Sequence, residues 1–351
     1  MSTAIAPRAR TSAPVGASRL LAGLAPAGPR VAVDEHLDQW GPPPCAFGSS
    51  RLELLEQLER SGLRGRGGGW FPTAVKWRAV SSRRLRQPVV VANGAEGEPG
   101  SIKDRLLVGR VPHLVLDGAS LAATVVGATR VIIFVPPSGL DAVSAAVADR
   151  TRFGIDQVEP EVVAAADGFV AGESSAVAGY LNGGPGAVPT FTGLRPVHER
   201  GVGGRPTLVQ NVETLAHVAL IARFGAAWFR QLGTADSPGT ALATLSGTGR
   251  RPGVVEMAAG TTLRGLIASF GVAPTSIRAV LLGGYGGAWV SARRVMDVPL
   301  CEERLRPIGA TFGAGVVAVL PKGACPLAET VRIVRYMADQ TAGQCGPCVH
   351  G

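Results

Sequence analysis

The sequence is poor in cysteine and in aromatic residues. It has five cysteines among 351 residues, and only Cys345 and Cys348 form a close pair. An odd number without regular spacing does not make a disulfide framework, so we expect a reducing compartment, the cytoplasm. Aromatic residues make up 5% of the chain and the basic residues form no continuous run, so we expect no nucleic-acid partner.

Long apolar stretches are also missing. The most apolar one, residues 114–137, is interrupted by Asp117 and Arg130, so no direct membrane span is predicted. The first thirty residues contain arginines and no acid, but they lack the apolar core and cleavage site of a signal sequence. We predict that residues 1–45 form a disordered or extended N-terminal segment.

Glycine and positive charge, in contrast, are abundant. The 48 glycines cluster in short runs between apolar segments and follow no fixed period, which is typical of a globular protein. The net charge of +9 favours anionic partners such as phosphorylated cofactors. With 46% hydrophobic residues, the chain is long enough for two or three domains with buried cores.

Strand and helix patterns alternate in the first two thirds of the chain. Alternation of this kind predicts βαβ units and a mostly parallel sheet, so the expected fold class is α/β. The predicted elements are a helix at 51–60, a strand at 87–94, a helix at 112–127, a strand at 130–135, a helix at 138–150, a strand end turning into a helix at 168–183, and a long helix at 205–225.

The pattern changes from about residue 241. Short β runs surround one helix at 262–271, which predicts a compact β module with a single helix. Residues 326–341 then predict a helix that begins with a proline and leads to the cysteine pair. Its expected apolar side is Leu327, Val331, Val334, Met337 and Ala338.

Residues 62–77, GLRGRGGGWFPTAVKW, form a glycine loop that matches neither common phosphate motif. Trp70 stands where a dinucleotide fingerprint needs its last glycine, and the loop follows a helix rather than a strand. Glycines still allow a close backbone approach to a planar phosphorylated ligand, and Arg64, Arg66 and Lys76 add positive charge. A tight helix-capping loop is the alternative interpretation.

Two further stretches place carboxylates near predicted strand ends. NGAEGEPG puts Glu96 and Glu98 beside Asn93 after a buried strand, where ligands bind in open α/β sheets. The alternative is a solvated acidic turn. AGESSA puts Glu173 at a helix start, where a carboxylate is also favoured by the free N–H groups alone.

Four stretches together resemble one family. RGRGGGWFPTAVKW, VVVANGAEGEPGSIKDR, GFVAGESSAV and GGRPTLVQNVETL are similar to the signatures of the 51 kDa-type, FMN-carrying and NADH-oxidising subunit of respiratory complex I, with relatives in NAD-linked hydrogenases and formate dehydrogenases. The resemblance implies a Rossmann-like FMN-binding domain at 46–235, a small β-grasp (SLBB-type) domain at 236–298, and a truncated helical iron–sulfur-binding region at 299–351.

The resemblance also implies roles for individual residues. NADH would pass a hydride to FMN, and electrons would continue to an iron–sulfur or ferredoxin-type protein subunit. Glu98 and Glu96 would serve the reaction, with Phe71 and Glu98 on the nicotinamide side. The implied cofactor contacts are Gly65, Arg66, Gly67, Gly68, Phe71, Lys76, Asn93, Glu96, Gly172, Glu173, Asn211 and Thr214.

The sequence departs from the family pattern at several positions. Ala95, Ser174 and Gln210 replace polar residues of the family, and Ala79 stands where an aromatic residue would stack on adenine. Loss of one aromatic stack is worth about 0.5–1.5 kcal/mol, so these changes are expected to weaken NADH binding more than FMN binding. The electron donor could therefore be NADH, NADPH or ferredoxin, and a degenerate paralogue that serves as an FMN-binding or assembly module is the alternative function.

The cysteine pair corresponds to the family's [4Fe–4S] cluster loop but is incomplete. Ala342 stands at the first ligand position, Cys345 and Cys348 remain, and a cluster normally needs four ligands. Cys325 is separated from the pair by a predicted helix. Three explanations are open, namely truncation, which we favour, ligands from a partner, and loss of the cluster.

Overall fold

Two β-sheets with their helices form the described part of the protein. The computed structural model describes residues 18–25, 27–44, 51–82, 86–186, 188, 195–247, 251–344 and 350. Its helices are α1 Val33–Trp40, α2 Arg51–Ser61, α3 Thr73–Ser81, α4 Lys103–Arg110, α5 Pro112–Val126, α6 Leu140–Arg152, α7 Ser174–Leu181, α8 Val212–Phe229, α9 Leu263–Ser269, α10 Ala292–Val295, α11 Glu302–Leu305 and α12 Pro326–Asp339. Its strands are β1 Val89–Asn93, β2 Arg130–Val135, β3 Glu161–Ala164, β4 Thr207–Asn211, β5 Thr240–Ser246, β6 Gly253–Ala258, β7 Ile277–Leu282, β8 Ala288–Ser291 and β9 Val316–Pro321.

The first sheet is parallel, as the sequence predicts. Its strand order is β3-β2-β1-β4, and β1 pairs with β2 on one side and with β4 on the other. Every residue of β1 is buried, with Val90 and Ala92 in one hydrophobic cluster and Val89 and Val91 in another. Burial on both faces explains why the strand is a continuous apolar run.

One predicted helix is wrong in its first part. Residues 205–225 were expected to be helical throughout, but Thr207–Asn211 form β4 and the helix begins at Val212. Asn211 is both the last residue of β4 and the residue whose side chain caps α8. No loop therefore separates the strand from the helix. Gly225 breaks the helical geometry, with φ 83° and ψ 165°, but the chain returns to helix as far as Phe229.

Three other elements of the first half differ from the predictions. Lys103–Arg110 form the helix α4 and Glu161–Ala164 form the edge strand β3, neither of which the sequence pattern predicts. The N-terminal segment is not wholly disordered or extended, since Val33–Trp40 form α1 and Leu20 is buried in the main core. Residues 1–17 lie outside the described residues.

The second sheet has five strands in the order β6-β5-β9-β7-β8. The three β runs and the helix at 262–271 that the sequence predicts correspond to β5, β6, β7 and α9. The central strand, Val316–Pro321, lies in the segment 299–351 that was expected to be helical. It pairs in parallel with β5 and antiparallel with β7, so the second sheet extends well beyond residue 298.

The helix α12 forms as predicted but buries a different side. Leu327 is 71% exposed and Val334 is 59% exposed, whereas Ile333 is buried. The inner side carries Tyr336, whose ring makes edge-on contacts with Tyr285 and Phe169. In the described part of the chain, the predicted apolar side of α12 therefore faces outward.

Helix α8 is long and apolar enough to cross a membrane by length and composition. The bent pair α4 and α5 passes the same test together, with 94° between its two helices. Within the protein, 72% of the α8 segment is buried, where it packs against α5 and α2. Its place in the core accounts for its apolar composition.

A buried carboxylate, Glu256, ties the N-terminal segment to the second sheet. It accepts hydrogen bonds from the backbone N–H groups of Arg19 and Leu21 and from the hydroxyl of Thr240. Burial raises the pKa of Glu256 to about 7, although these donors oppose the shift. In the unfolded chain the pKa of a glutamate is near ~4.3, so folding favours the protonated form.

Replacing Glu256 with glutamine is expected to change how stability depends on pH. The stabilisation from a raised pKa is complete below the unfolded pKa and is lost as the pH rises through the folded value near 7. The free energy of unfolding of Glu256→Gln, measured relative to that of the wild type, should therefore rise by up to ~3 kcal/mol between pH 4 and pH 8, at 1.36 kcal/mol per pKa unit. Urea unfolding at both pH values checks this, and a difference that stays constant with pH would contradict it.

Candidate functional site

The strand order of the first sheet reverses at β1, and in open α/β sheets such a reversal creates a crevice. The chain leaves β1 towards β2 and β3 on one side and returns through β4 on the other. The last residues of β1 and β4, Asn93 and Asn211, are partners in the strand register. In open parallel sheets, ligands bind outside the carboxyl ends of the strands at this reversal. The two asparagines therefore mark the candidate site.

The loops after β1 and before α7 meet beside Asn93. Its side-chain amide donates to the carbonyl of Gly172 over 2.7 Å, and its oxygen accepts from the N–H of Ala95. Glu173 caps α7 by accepting from the N–H of Ser175, the capping role that was the alternative interpretation of this residue. The second and third sequence motifs thus form adjacent walls.

The glycine loop meets the start of α8 beside Asn211. Asn211 caps that helix by accepting from the N–H groups of Glu213 and Thr214. The hydroxyl of Thr214 accepts from the N–H of Arg66 over 2.8 Å. A Cβ at Gly67 would lie 3.1 Å from the Cβ of Asn211, so a larger residue would crowd this wall.

Lys76 extends from α3 to the same edge of the sheet. Its ammonium group donates to the carbonyl of Val209 in β4. Burial lowers the pKa of Lys76, while the nearby charge of Glu173 opposes that shift. Lys76 and Glu173 therefore place opposite charges close together at the rim of the site.

The glycine loop is closed at its base and open at its tip. Arg64 and Pro72 form a β-bridge, and the N–H of Gly65 donates to the carbonyl of Phe71. Among the described residues, the N–H groups of 67–69 find no hydrogen-bond partner. The Phe71 ring is 55% exposed. Unpaired N–H groups in a glycine loop suit a phosphate or another anion.

Arg66 does not present its charge to the crevice, contrary to its predicted role as a cofactor contact. Its buried guanidinium donates to the carbonyls of Pro238 and Thr240 and lies 4.4 Å over the ring of Trp70. Burial lowers the pKa of Arg66 to about 10. Trp70, at φ 49°, reaches into the core of the second sheet and donates to the carbonyl of Gly313.

Glu96 is committed to the start of α4. Its carboxylate accepts from the hydroxyl of Ser101, from the N–H of Asp104, and from both the backbone and the guanidinium of Arg105. All of these donors lie within one short segment. The structure therefore gives Glu96 a helix-capping role, and any contact with a cofactor would have to compete with these bonds.

Glu98 joins the first sheet's loop to the second sheet. Its two oxygens accept from the N–H groups of Gly100 and Tyr285. Burial raises the pKa of Glu98, and these two N–H groups oppose the shift. Tyr336 of α12 also lies near this carboxylate. Burial raises the pKa of the Tyr336 phenol, and the charge of Glu98 raises it further.

A buried ion triad, which the sequence pattern does not predict, lies beneath Asn211. The ammonium group of Lys103 lies 2.8 Å from carboxylate oxygens of both Asp104 and Glu213. Asp104 also accepts from the side-chain amide of Asn211 over 2.8 Å. Burial raises the pKa of Asp104 to about 7, although Lys103 opposes it; burial would also raise the pKa of Glu213, but Lys103 and neighbouring groups bring it to about 2. The motifs SIKDR and VQNVETL contain these three residues, but neither motif predicts that they meet.

The predicted metal ligands Cys345 and Cys348 lie outside the described residues. In the part of the chain that the structure describes, no group of three or more histidines, cysteines and acids could hold a metal ion. Cys301 is buried and Cys325 is exposed before α12. No cluster ligand set can be built from these residues.

The parallel sheet, the reversal of strand order and the glycine loop are the features of a nucleotide-binding α/β protein. Residues 58–220 match the family described as the Nuo51 FMN-binding domain. The chain is 31% identical to one NADH-quinone oxidoreductase subunit of Rhizobium meliloti (strain 1021), covering 85% of this chain and 74% of that protein. It belongs to the family of 51 kDa-type flavoprotein subunits of NADH-quinone oxidoreductase, which confirms the resemblance seen in the sequence.

Relatives outside complex I also match. The chain is 30% identical to NADP-reducing hydrogenase subunit HndC of Solidesulfovibrio fructosivorans, over 84% of this chain and 63% of that protein. A solved NAD⁺-reducing [NiFe]-hydrogenase in the air-oxidised state is similar with a TM-score of 0.80 and 33% identity. The alignment covers 91% of this chain and 56% of the hydrogenase chain.

Proposed function

We propose that this chain is an FMN-dependent oxidoreductase subunit that takes a hydride from NAD(P)H and delivers electrons to an iron–sulfur or ferredoxin-type partner, in the cytoplasm. The observation that carries the proposal is the meeting of the glycine loop, the loop after β1 and the start of α7 at the paired strand ends Asn93 and Asn211. Membership of the family supplies the cofactor class. FMN, when bound, accepts a hydride and returns electrons one at a time.

The residues at the crevice fit a phosphorylated planar group. The open N–H groups of 67–69 can bind a phosphate, and Lys76 supplies positive charge. Gly67 and Gly172 leave room where a Cβ would contact Asn211 or Ala95. Asn93 and Asn211 are themselves held by backbone and side-chain partners, so the site is organised before any ligand arrives.

The same residues have definite tasks in this proposal. Asn93, Asn211 and Thr214 would hold the ring and its chain, and Phe71, with its exposed ring, would contact the nicotinamide side. Glu98 would also line that side while fixing Tyr285. Arg66 would act through its backbone N–H, which positions the hydroxyl of Thr214, because its side chain lies against the second sheet.

The second sheet and α12 are proposed as the SLBB-type β-grasp domain and the start of the iron–sulfur-binding region. Five strands around α9 support the first assignment. The position of the cysteine pair just after α12 supports the second. No step is assigned to a cluster, because Ala342 replaces one expected ligand and the described residues offer no substitute.

The second candidate function is an FMN-binding or assembly module without catalysis. Ala95, Ser174 and Ala79 favour it, because each replaces a group that the family pattern uses for ligand contact. Glu96, whose carboxylate caps α4, is also consistent with a module without catalysis.

Visible spectra of the anaerobically purified full chain distinguish the two functions. The proposal expects flavin bands that bleach on addition of NADH or NADPH, with dithionite as the reference for full reduction. Flavin bands that bleach only with dithionite would support the module without catalysis. A colourless protein that takes up no added FMN would overturn both.

A further inference from the structure

Two long side chains leave the glycine loop on either side of its tip, residues 67–69. Arg66 precedes the tip and Trp70 follows it, and each is only 3% exposed. The two side chains stack on each other, with the guanidinium carbon of Arg66 4.4 Å from the centroid of the Trp70 ring. The tip, whose own N–H groups have no partner in the described part of the chain, is therefore flanked by two buried residues.

Both of these side chains end on the second sheet. The guanidinium of Arg66 donates to the carbonyls of Pro238 and Thr240, just before and at the start of β5. The indole N–H of Trp70 donates to the carbonyl of Gly313, in the turn before β9, over 2.9 Å. The anchors of the two side chains therefore come from the second sheet and from two segments far apart in sequence.

The turn that receives Trp70 is itself fixed by a buried carboxylate. Glu302, which is 4% exposed, accepts hydrogen bonds from the N–H groups of Phe312 and Gly313. The hydroxyl of Thr311 donates to the same carboxylate oxygen. The Phe312 ring also makes an edge-on contact with the Trp70 ring, at 5.7 Å between centroids. A side chain anchored on this turn transmits the position of the turn to the glycine loop.

Trp70 has a backbone conformation that residues with a side chain avoid. Its φ is 49°, and among the described residues it alone combines a positive φ with a side chain. Such a conformation persists only where the surrounding contacts impose it. Here the buried ring and its hydrogen bond impose it, and the ring of the next residue, Phe71, remains 55% exposed. The anchor therefore separates an inward side chain from an outward one.

We infer that Arg66 and Trp70 are positioning residues for the flavin phosphate, because they clamp the loop tip to the second sheet and hold the N–H groups of 67–69 ready to bind it. This inference rests on the proposed function for the presence of FMN and for its phosphate at the loop tip. Ordering a loop costs conformational entropy, and a loop that is already fixed avoids this cost on binding. The second sheet thereby supports the flavin site through side chains that need not touch the flavin.

Two measurements on the full chain test the inference. Fluorescence titration of the apoprotein gives the dissociation constant for FMN, and hydrogen exchange of the apoprotein reports the bonded N–H groups of the loop, those of Gly65 and Thr73. Trp70→Asn removes the anchor but tolerates the left-handed backbone. It should raise the dissociation constant about 10- to 100-fold and speed exchange at both N–H groups. Trp70→Phe keeps a ring in the core and should fall between the wild type and Trp70→Asn.

The effects of Arg66→Gln and Trp70→Asn should not multiply. Each substitution releases one side of the same tip, so either one alone frees it. The double variant should therefore bind FMN with nearly the affinity of the weaker single variant. A double variant weakened by the product of the two single factors would show two independent contacts and would overturn the clamp.

Leu266→Ala is the matched control. Leu266 is buried in the same hydrophobic cluster as Trp70, but it lies in α9 and makes none of the hydrogen bonds of the loop. Its truncation should lower the stability to unfolding and leave both the FMN dissociation constant and the exchange of the loop unchanged. An equal loss of FMN affinity in Leu266→Ala and Trp70→Asn would overturn the inference, because any weakening of the second core would then have the same effect.

The two measurements also separate this inference from the proposed function. Wild-type exchange and wild-type FMN affinity in Trp70→Asn would overturn the inference and leave the proposed function intact. If the wild-type chain takes up no FMN, the proposed function fails, and the flavin role of the two residues fails with it. Faster exchange in Trp70→Asn and not in Leu266→Ala would in that case support the clamp alone.

Discussion

Replacement of Lys103 by methionine is expected to lower the free energy of unfolding by about 3–5 kcal/mol at pH 7, because it leaves two buried carboxylates without their cation. Asp104 and Glu213 would then face each other in the core beneath Asn211. Since Asp104 already has a pKa near 7, protonation should relieve part of the repulsion as the pH falls. The loss should therefore be larger at pH 8 than at pH 5.

Urea unfolding at the two pH values measures this effect. Lys103→Met combined with Glu213→Gln should recover part of the loss, because one of the two charges is then removed. Lys322→Met is the control, since Lys322 is exposed and should change stability by less than ~0.5 kcal/mol. A loss below ~1 kcal/mol for Lys103→Met would show that the triad contributes little.

Replacement of Gly97 by alanine is expected to weaken FMN binding about 10- to 100-fold, matching the 1–3 kcal/mol typical of overpacking. A Cβ at Gly97 would lie 2.5 Å from the carbonyl oxygen of Phe169 and 2.6 Å from that of Gly168. Both are backbone atoms, so the loop that carries Gly172 must move. That movement would separate the walls of the crevice at Asn93.

Flavin fluorescence titration of the apoprotein gives the dissociation constant for this test. Gly323→Ala is the matched control, because a Cβ at Gly323, in the turn after β9, meets nothing within 4 Å and Gly323 is not among the residues assigned to the crevice. Equal affinities for the two variants would argue against a flavin site between these loops. Thermal unfolding should be recorded for both, so that loss of FMN is separated from loss of fold.

The sequence predicts the two inner strands of the first sheet, β1 and β2, because their signals are local, but it does not predict the two edge strands β3 and β4. β1 and β2 are β-branched runs between breakers, and helices of ordinary length follow them. The positions of Asn93 and Asn211 at the reversal come from the resemblance, and the strand register brings them together. β4 was missed because a cap, rather than a loop, separates the strand from α8.

Other parts of the site depend on contacts between residues far apart in sequence. No local pattern shows that Arg66 turns towards Thr240, or that Glu98 meets Tyr285. The ion triad is similar, because Lys103 and Glu213 are brought together only by the packing of α4 against α8. Charge patterns along the chain cannot distinguish such buried pairs from solvated ones.

The anchoring of the glycine loop by Trp70 has a consequence for biosynthesis. Trp70 donates to the carbonyl of Gly313, a residue that leaves the ribosome 243 positions later. The guanidinium of Arg66 likewise lacks its two carbonyl acceptors until Pro238 and Thr240 have been synthesised. A nascent chain that has completed only the first sheet therefore holds this loop without its support. Flavin capture should accordingly be a late event that follows release of residue 313, rather than a template for the folding of the first sheet.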